Sequence, residues 1–170
     1  MDIFEAIKKR YSCRAYLDRS IEPDKLARVL EAARLAPSAS NCQDWRFVVV
    51  TDAETRAKLA EAANNQKHVG TAAAVLVACS TRDHVMRCGQ PVGPIDVAIA
   101  LEHIALQAVA EELATCWIGS FYPDKVRPIL GMPNDIAIIE LMTIGYPADR
   151  QPPPKREPIE NIVCYEKWRF

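Results

Sequence analysis

Arg10-Tyr11-Ser12-Cys13-Arg14 sets two guanidinium groups on either side of a hydroxyl at alternate positions. If the segment is extended, Arg10, Ser12 and Arg14 point to the same side. Fork-shaped N–H donors beside one small hydroxyl suit a phosphate or another delocalised anion. Standing alone, such a segment reads more readily as a solvated loop. Two further stretches give it company: the polar loop Pro37-Ser38-Ala39-Ser40-Asn41-Cys42-Gln43-Asp44-Trp45, and Lys155-Arg156 after three prolines. Asn41 and Gln43 can each donate and accept, as the mixed edge of a flat heteroaromatic requires. The set points to a phosphorylated heterocycle without settling which one.

Other chemistries find less support. Cys79, His84 and Cys88 have a spacing that could pass for part of a metal site, but no C-x-x-C occurs and Cys79 falls in an apolar run, so no metal is expected. No serine or cysteine stands in an elbow-type sequence, and phosphate-loop and dinucleotide glycine fingerprints are absent. His103 reads as a packed histidine rather than a base. The aliphatic and alanine stripe of its helix reads as core or subunit interface rather than a cofactor box.

With 170 residues, 49% of them apolar and 25% charged, the chain fits one ordinary globular domain. A net charge of -1 gives no support for nucleic acid or a membrane surface as partner. The six cysteines are scattered and follow no basic-then-apolar leader, which suggests reduced thiols in a cytoplasmic protein. No apolar run approaches the length needed to span a bilayer.

Asp2 and Glu5 form a capping-box pattern ahead of a helix ending near Lys9. Glu22-Pro23 restarts a helix whose face is Leu26, Val29, Leu30 and Ala33, and Pro37 stops it. Strands are expected at 46–50, 73–79, 115–119 and 136–146, and helices at 53–63, 95–113 and 123–130. Asn64 to His68 reads as a polar turn. In the long helix, Ile95, Ile99, His103, Leu106 and Ala110 line one side. After the prolines, Ile159, Ile162, Val163, Tyr165, Trp168 and Phe170 are too apolar for a disordered tail, so they must be buried on this subunit or on a partner. The alternation of strands and helices predicts a layered α/β sandwich, with sheet direction left open.

R-Y-S-C-R, A-P-S-A-S-N-C-Q-D-W-R-F, D-V-A-I-A-L, T-C-W-I-G-S-F and K-R-E-P-I-E-N-I-V occur in an order that resembles the nitroreductase family, in its smaller single-domain branch. The resemblance covers essentially the whole chain. It implies an α+β fold, a three-layer α-β-α sandwich with a central, mainly antiparallel sheet, built as an intertwined homodimer. Residues 151–170 would be a C-terminal arm packing on the partner subunit, within a single domain spanning 1–170. The implied cofactor is FMN, at two equivalent sites in the dimer interface.

Carried over by position, the resemblance implies that Arg10 and Ser12 hold the FMN phosphate and ribityl chain, joined by Lys155 and Arg156. It puts Arg14 near the N1/O2 edge, where a cation would stabilise charge on the reduced ring and raise its potential. Pro37, Ser38, Ala39, Asn41 and Gln43 would approach from the partner subunit. The Ile118-Gly119 backbone would face the ring with an amide N–H towards N5. Gln66, with Asn65 and Lys67, would approach the pyrimidine edge. No separate catalytic residue is implied, because flavin N5 carries the hydride. The implied activity is ping-pong electron transfer from NAD(P)H to a nitroaromatic, quinone or flavin acceptor. A flavin-storage protein, or a dehalogenase-like or flavin-cleaving reaction on the same fold, is the alternative. The loop from Ser80 to Pro94 is the place where substrate selectivity would be written.

Two positions depart from the family pattern. Asp44 stands where many relatives have proline. Glu112-Leu113-Ala114 replaces a common Gly-Leu-Gly, so a left-handed residue at that helix end would carry a steric penalty at Glu112.

Overall fold

A computed structural model describes residues 1–82, 84–152 and 155–170. The expected extension at Pro153 and Pro154 lies outside the described residues. The elements run α1 (Ile3–Lys9), α2 (Pro23–Arg34), β1 (Trp45–Val50), α3 (Ala53–Ala62), α4 (Lys67–Thr71), β2 (Ala74–Ser80), α5 (Val92–Ala110), β3 (Ala114–Ile118), α6 (Pro123–Leu130) and β4 (Ala137–Gly145).

Every residue of β2 is buried, as expected for a central strand covered on both faces. The strand's period of two divides them: Ala74, Leu76 and Ala78 join α2 and α5 residues in one core. Val75, Val77 and Cys79 join residues of α3, α4 and α6 in the other. Helices therefore cover both faces of one sheet, giving three layers. The strand order is β1-β2-β4-β3, and all three pairings are antiparallel. That settles the sheet direction that alternation alone left open. Leu76, Leu101, Ile104, Leu141, Met142 and Ile144 are fully buried, each contributing about 1.5–3 kcal/mol of transfer free energy.

Several expectations need correction. Asp2 makes no side-chain cap bond, because Glu5 pairs with Lys8 at 2.7 Å instead of closing the capping box. The polar turn at 64–68 is shorter than expected, since Lys67 opens the short helix α4. Helix α5 begins at Val92, with Pro91 as its N-cap. Pro94 is tolerated there because first-turn N–H groups have no intrahelical acceptor to lose. The expected buried stripe of α5 is also rotated. Val97, Ala100, Leu101, Ile104, Ala105 and Ala108 face the core, whereas Ile95 is 39% exposed. Being 19 residues and strongly apolar, α5 does meet the length and composition for crossing a bilayer, contrary to the expectation from sequence; nine of its residues are buried in the protein.

Helix α5 ends as the departure at Glu112 anticipates. Glu112 has φ 64°, its N–H donates to Val109 O at 3.2 Å, and Leu113 N–H donates to Ala108 O at 2.8 Å. These two bonds form a Schellman motif with glutamate where glycine is favoured.

The C-terminal segment is exposed in the protomer. Tyr165 is 79% and Trp168 81% accessible, and Trp168 packs edge-on against Phe170 with ring centroids 4.9 Å apart.

Candidate functional site

The Arg10–Arg14 segment is stitched to β3. Ser12 bridges Thr115 in parallel, and Cys13 N–H donates to Thr115 O at 2.9 Å. Farther on, Leu17 N–H donates to Tyr146 O and Ala148 N–H to Ala15 O, both at 2.9 Å. Tyr16 Oη shares a 2.7 Å bond with Thr143 Oγ1, and burial pushes its phenol well above the usual range. The side chains then diverge. Arg10 Nε lies 3.5 Å from Glu102 Oε1 on α5. Ser12 reaches the Cys116 thiol, which burial pushes up. Arg14 Nη1 donates to Ser12 O at 3.4 Å and its charge acts on His68 of α4.

His68 was not singled out by sequence. It is 9% exposed, and its Nε2 is buried without a hydrogen-bond partner. Burial, then the adjacent Arg14 charge, push its pKa below 6.5, so the ring is neutral at neutral pH. The turn before α4 also fixes the end of β3. Asn64 and Asn65 take φ 56° and 57°, which asparagine tolerates. Asn64 Nδ2 donates to Ser120 Oγ at 2.7 Å and Gln66 Nε2 to Ser120 O at 3.1 Å. Gly119 and Ile118 are thereby held next to Gln66. Burial raises the Glu140 carboxyl, which lies beside Gly119. Arg14, His68, Gln66, Ile118 and Gly119 thus gather along β3, an edge strand.

The second group lies at the opposite edge. The loop 37–43 leads into β1, three strand spacings or roughly 14 Å from β3. Ser40, Asn41 and Gln43 adopt φ 52°, 55° and 51°, a concentration of left-handed non-glycine backbone that only surrounding bonds can sustain. Those bonds are visible: Gln43 N–H donates to Ser38 Oγ at 2.9 Å, and Ala39 N–H donates to Asp96 Oδ2 at 3.1 Å. Pro37, Asn41 and Gln43 are exposed, and Ser38 and Ala39 half-buried. Asp44 is 3% exposed. The loop is thus presented outward and fixed from behind.

Lys155 and Arg156 are exposed, and no bond or ion pair joins them to Arg10 or Ser12 among the described residues. Arg10 instead borders a cavity of ≈ 470 Å³ whose walls include Lys8, Lys9, Tyr11 and Arg150. Ser12, Arg14 and loop 37–43 do not line it. Within one protomer the expected binding residues therefore form two separate groups and a detached basic pair. Asp96 and His68, both missed, carry no local sequence signal; their roles arise from burial beside chain-distant neighbours.

The nitroreductase family model matches residues 7–83 and 63–146, and the chain belongs to this family. It is 34% identical over 201 aligned positions to a Thermus thermophilus protein named NADH dehydrogenase, covering 99% of this chain and 97% of that one. A crystal structure of a nitroreductase family protein from Clostridium difficile 630 matches with TM-score 0.88 and 34% identity, over 99% of this chain and 100% of that one. The NADPH:FMN oxidoreductase of Vibrio harveyi, complexed with NAD+, matches with TM-score 0.91 and 26% identity, over 99% of this chain and 78% of that one.

Proposed function

We propose that the protein is an FMN-dependent oxidoreductase that passes electrons from NAD(P)H to a nitroaromatic, quinone or flavin acceptor by a ping-pong cycle. The reading makes it a cytoplasmic homodimer of single-domain chains, with FMN sites in the interface. The observation that carries it is the division of the expected flavin contacts between opposite edges of one sheet. A site using both edges needs loop 37–43 from a second chain. Two features fit that reading. Ile95 on the outer side of α5 and the aromatic residues of the tail are exposed apolar surface that a partner would cover.

The residues present also fit FMN. The unpartnered His68 Nε2 and the Arg14 guanidinium offer polar contacts beside β3, and the strained loop presents Asn41 and Gln43 outward. Bound FMN would supply the hydride carrier at N5, so the chain needs no nucleophile or general base. Arg10 and Ser12, joined by Lys155 and Arg156, bind the phosphate end. Arg14 places a fixed cation at the pyrimidine edge, where it favours added negative charge. Gln66 holds Ser120, and through it the Ile118-Gly119 backbone that faces the ring. Pro37, Ser38, Ala39, Asn41 and Gln43 of each chain close the site of the other, and residues 151–170 pack on the partner.

Anaerobic titration of the FMN-loaded protein with NADH and NADPH tests the activity. The flavin absorbance should bleach with at least one of them and return on adding a quinone or nitroaromatic. Protein that gains no flavin absorbance with added FMN would contradict the flavin assignment. Bound flavin that neither nucleotide bleaches would contradict turnover and leave a storage protein.

A further inference from the structure

Loop 37–43 holds a shape that its own residues disfavour, so something outside it must keep it there. Ser40, Asn41 and Gln43 are all left-handed without being glycine, and such backbone persists only where the surroundings over-determine it. Ser38 precedes the short turn Ala39–Asn41 but makes no cap bond to it, because its Oγ accepts Gln43 N–H at 2.9 Å. Asn41 N–H donates to Ser38 O at 3.0 Å and Cys42 N–H to Ala39 O at 3.1 Å. Ala39 N–H is left to find its acceptor elsewhere, and finds it on α5. Asp96 Oδ1 and Oδ2 accept it at 3.2 and 3.1 Å. Asp96 is 3% exposed, so water does not compete for this bond.

The far end of the loop is anchored to the sheet. Arg46 Nη1 donates to Gln43 O at 3.0 Å. Asp44 Oδ2 accepts Ser80 Oγ–H at 3.0 Å, and the Asp44 carbonyl accepts Thr81 N–H at 3.0 Å. Ser80 is in turn pressed against the start of α5, where a Cβ on Gly93 would sit 2.6 Å from Ser80 Oγ. Only glycine lets helix and strand meet so closely there, and this approach brings Asp96 to the loop. The loop is thus clamped at one end by α5 and at the other by β1 and β2.

We propose that Asp96 is a positioning residue of the flavin site: by holding Ala39 N–H it presets loop 37–43 in the shape that closes the partner's FMN site. Asp96 acts through the loop and does not itself touch the flavin. The inference rests on the flavin reading above, and adds a buried residue whose effect is felt in the other subunit's site. A loop already in its bound shape needs no ordering when FMN arrives, which strengthens binding.

The test compares FMN dissociation constants of mixed dimers that keep one working site. A chain carrying Arg10→Ala and Ser12→Ala loses its β3 edge, so the surviving site joins that chain's loop to the other chain's edge. Asp96→Ala placed in the same chain should weaken the surviving site about tenfold to a hundredfold, the worth of a hydrogen bond to a charged group. Placed in the other chain, which supplies only the edge, it should leave the surviving site tight. Asp96→Asn, which keeps an oxygen for Ala39 N–H, should restore most of the lost affinity. Equal effects in the two placements would overturn the proposal, as would Asp96→Asn binding as weakly as Asp96→Ala. Hydrogen exchange of the flavin-free protein separates this inference from the flavin reading. The Ala39 amide should exchange at least about tenfold faster in Asp96→Ala than in wild type, while the Leu76 and Val77 amides of β2 stay protected and show that the variant is folded. If no FMN binds, the flavin assignment fails and this difference still stands. Equal Ala39 exchange in the two proteins would overturn the clamp itself.

Discussion

Cys13 N–H donates to Thr115 O at 2.9 Å, and this bond, beside the isolated Ser12–Thr115 bridge, ties an arginine-rich segment to the edge strand β3. Because of it, Arg14 is delivered to His68 on α4 while Arg10 is delivered to Glu102 on α5. The two guanidiniums have different neighbours and are assigned different work.

Arg14→Ala should lower the midpoint potential of bound FMN by tens of millivolts, since about 1.4 kcal/mol corresponds to 30 mV for two electrons. Arg156→Ala should weaken FMN retention with little change in potential. Spectroelectrochemistry together with FMN dissociation constants separates the roles; equal effects of both changes on both quantities would contradict them.

His68 gives the site an acid-side sensitivity. Its pKa is pushed below 6.5 by burial and by Arg14. A base depressed on folding favours the folded state above its ordinary value and loses that contribution as pH falls. Wild-type thermal stability should therefore decline below pH 6.5, and His68→Gln should show less of that decline. Melting curves across that range decide it.

Glu112 should be replaceable with profit to stability. A left-handed non-glycine residue costs about 1–2 kcal/mol, while glycine adds roughly 0.5–1 kcal/mol of unfolded-state entropy. The nearest ion pair, Lys25 Nζ to Glu112 Oε2, is 3.8 Å long and its glutamate is 85% exposed, so losing it changes little. Glu112→Gly should be more stable by about 0.5–1 kcal/mol, or about 1–4 °C in Tm for a chain of this size. Denaturant and thermal unfolding would measure it.

Local rules made part of this fold legible. Helix α6 has the expected ends because Pro123 opens it and Gly131, at φ 62°, closes it. The unbroken apolar run of β2 marked a strand covered on both faces. Helix α5 was harder to orient, since it is apolar almost all round and periodicity could not say which side met the sheet. The five residues of α4, with Gly70 among them, were too few to outweigh their polar beginning. At the site, alternate spacing put Arg10, Ser12 and Arg14 on one side only on the condition that the segment was extended. It could not show that Arg10 and Arg14 would meet different helices. Asp96 and His68 were illegible for another reason: each matters through burial beside residues far away in the chain.

Mixed dimers test the shared, two-chain FMN site most directly. Chains carrying Arg10→Ala and Ser12→Ala are co-expressed with chains carrying Asn41→Ala and Gln43→Ala, under two affinity tags, and purified through both. Each doubly tagged dimer should contain one intact site, formed by the unaltered β3 edge of one chain and the unaltered loop of the other. It should hold one FMN that NAD(P)H bleaches, while both parent proteins bind flavin poorly. Mixed dimers that bind no more FMN than either parent would contradict a site built from two chains.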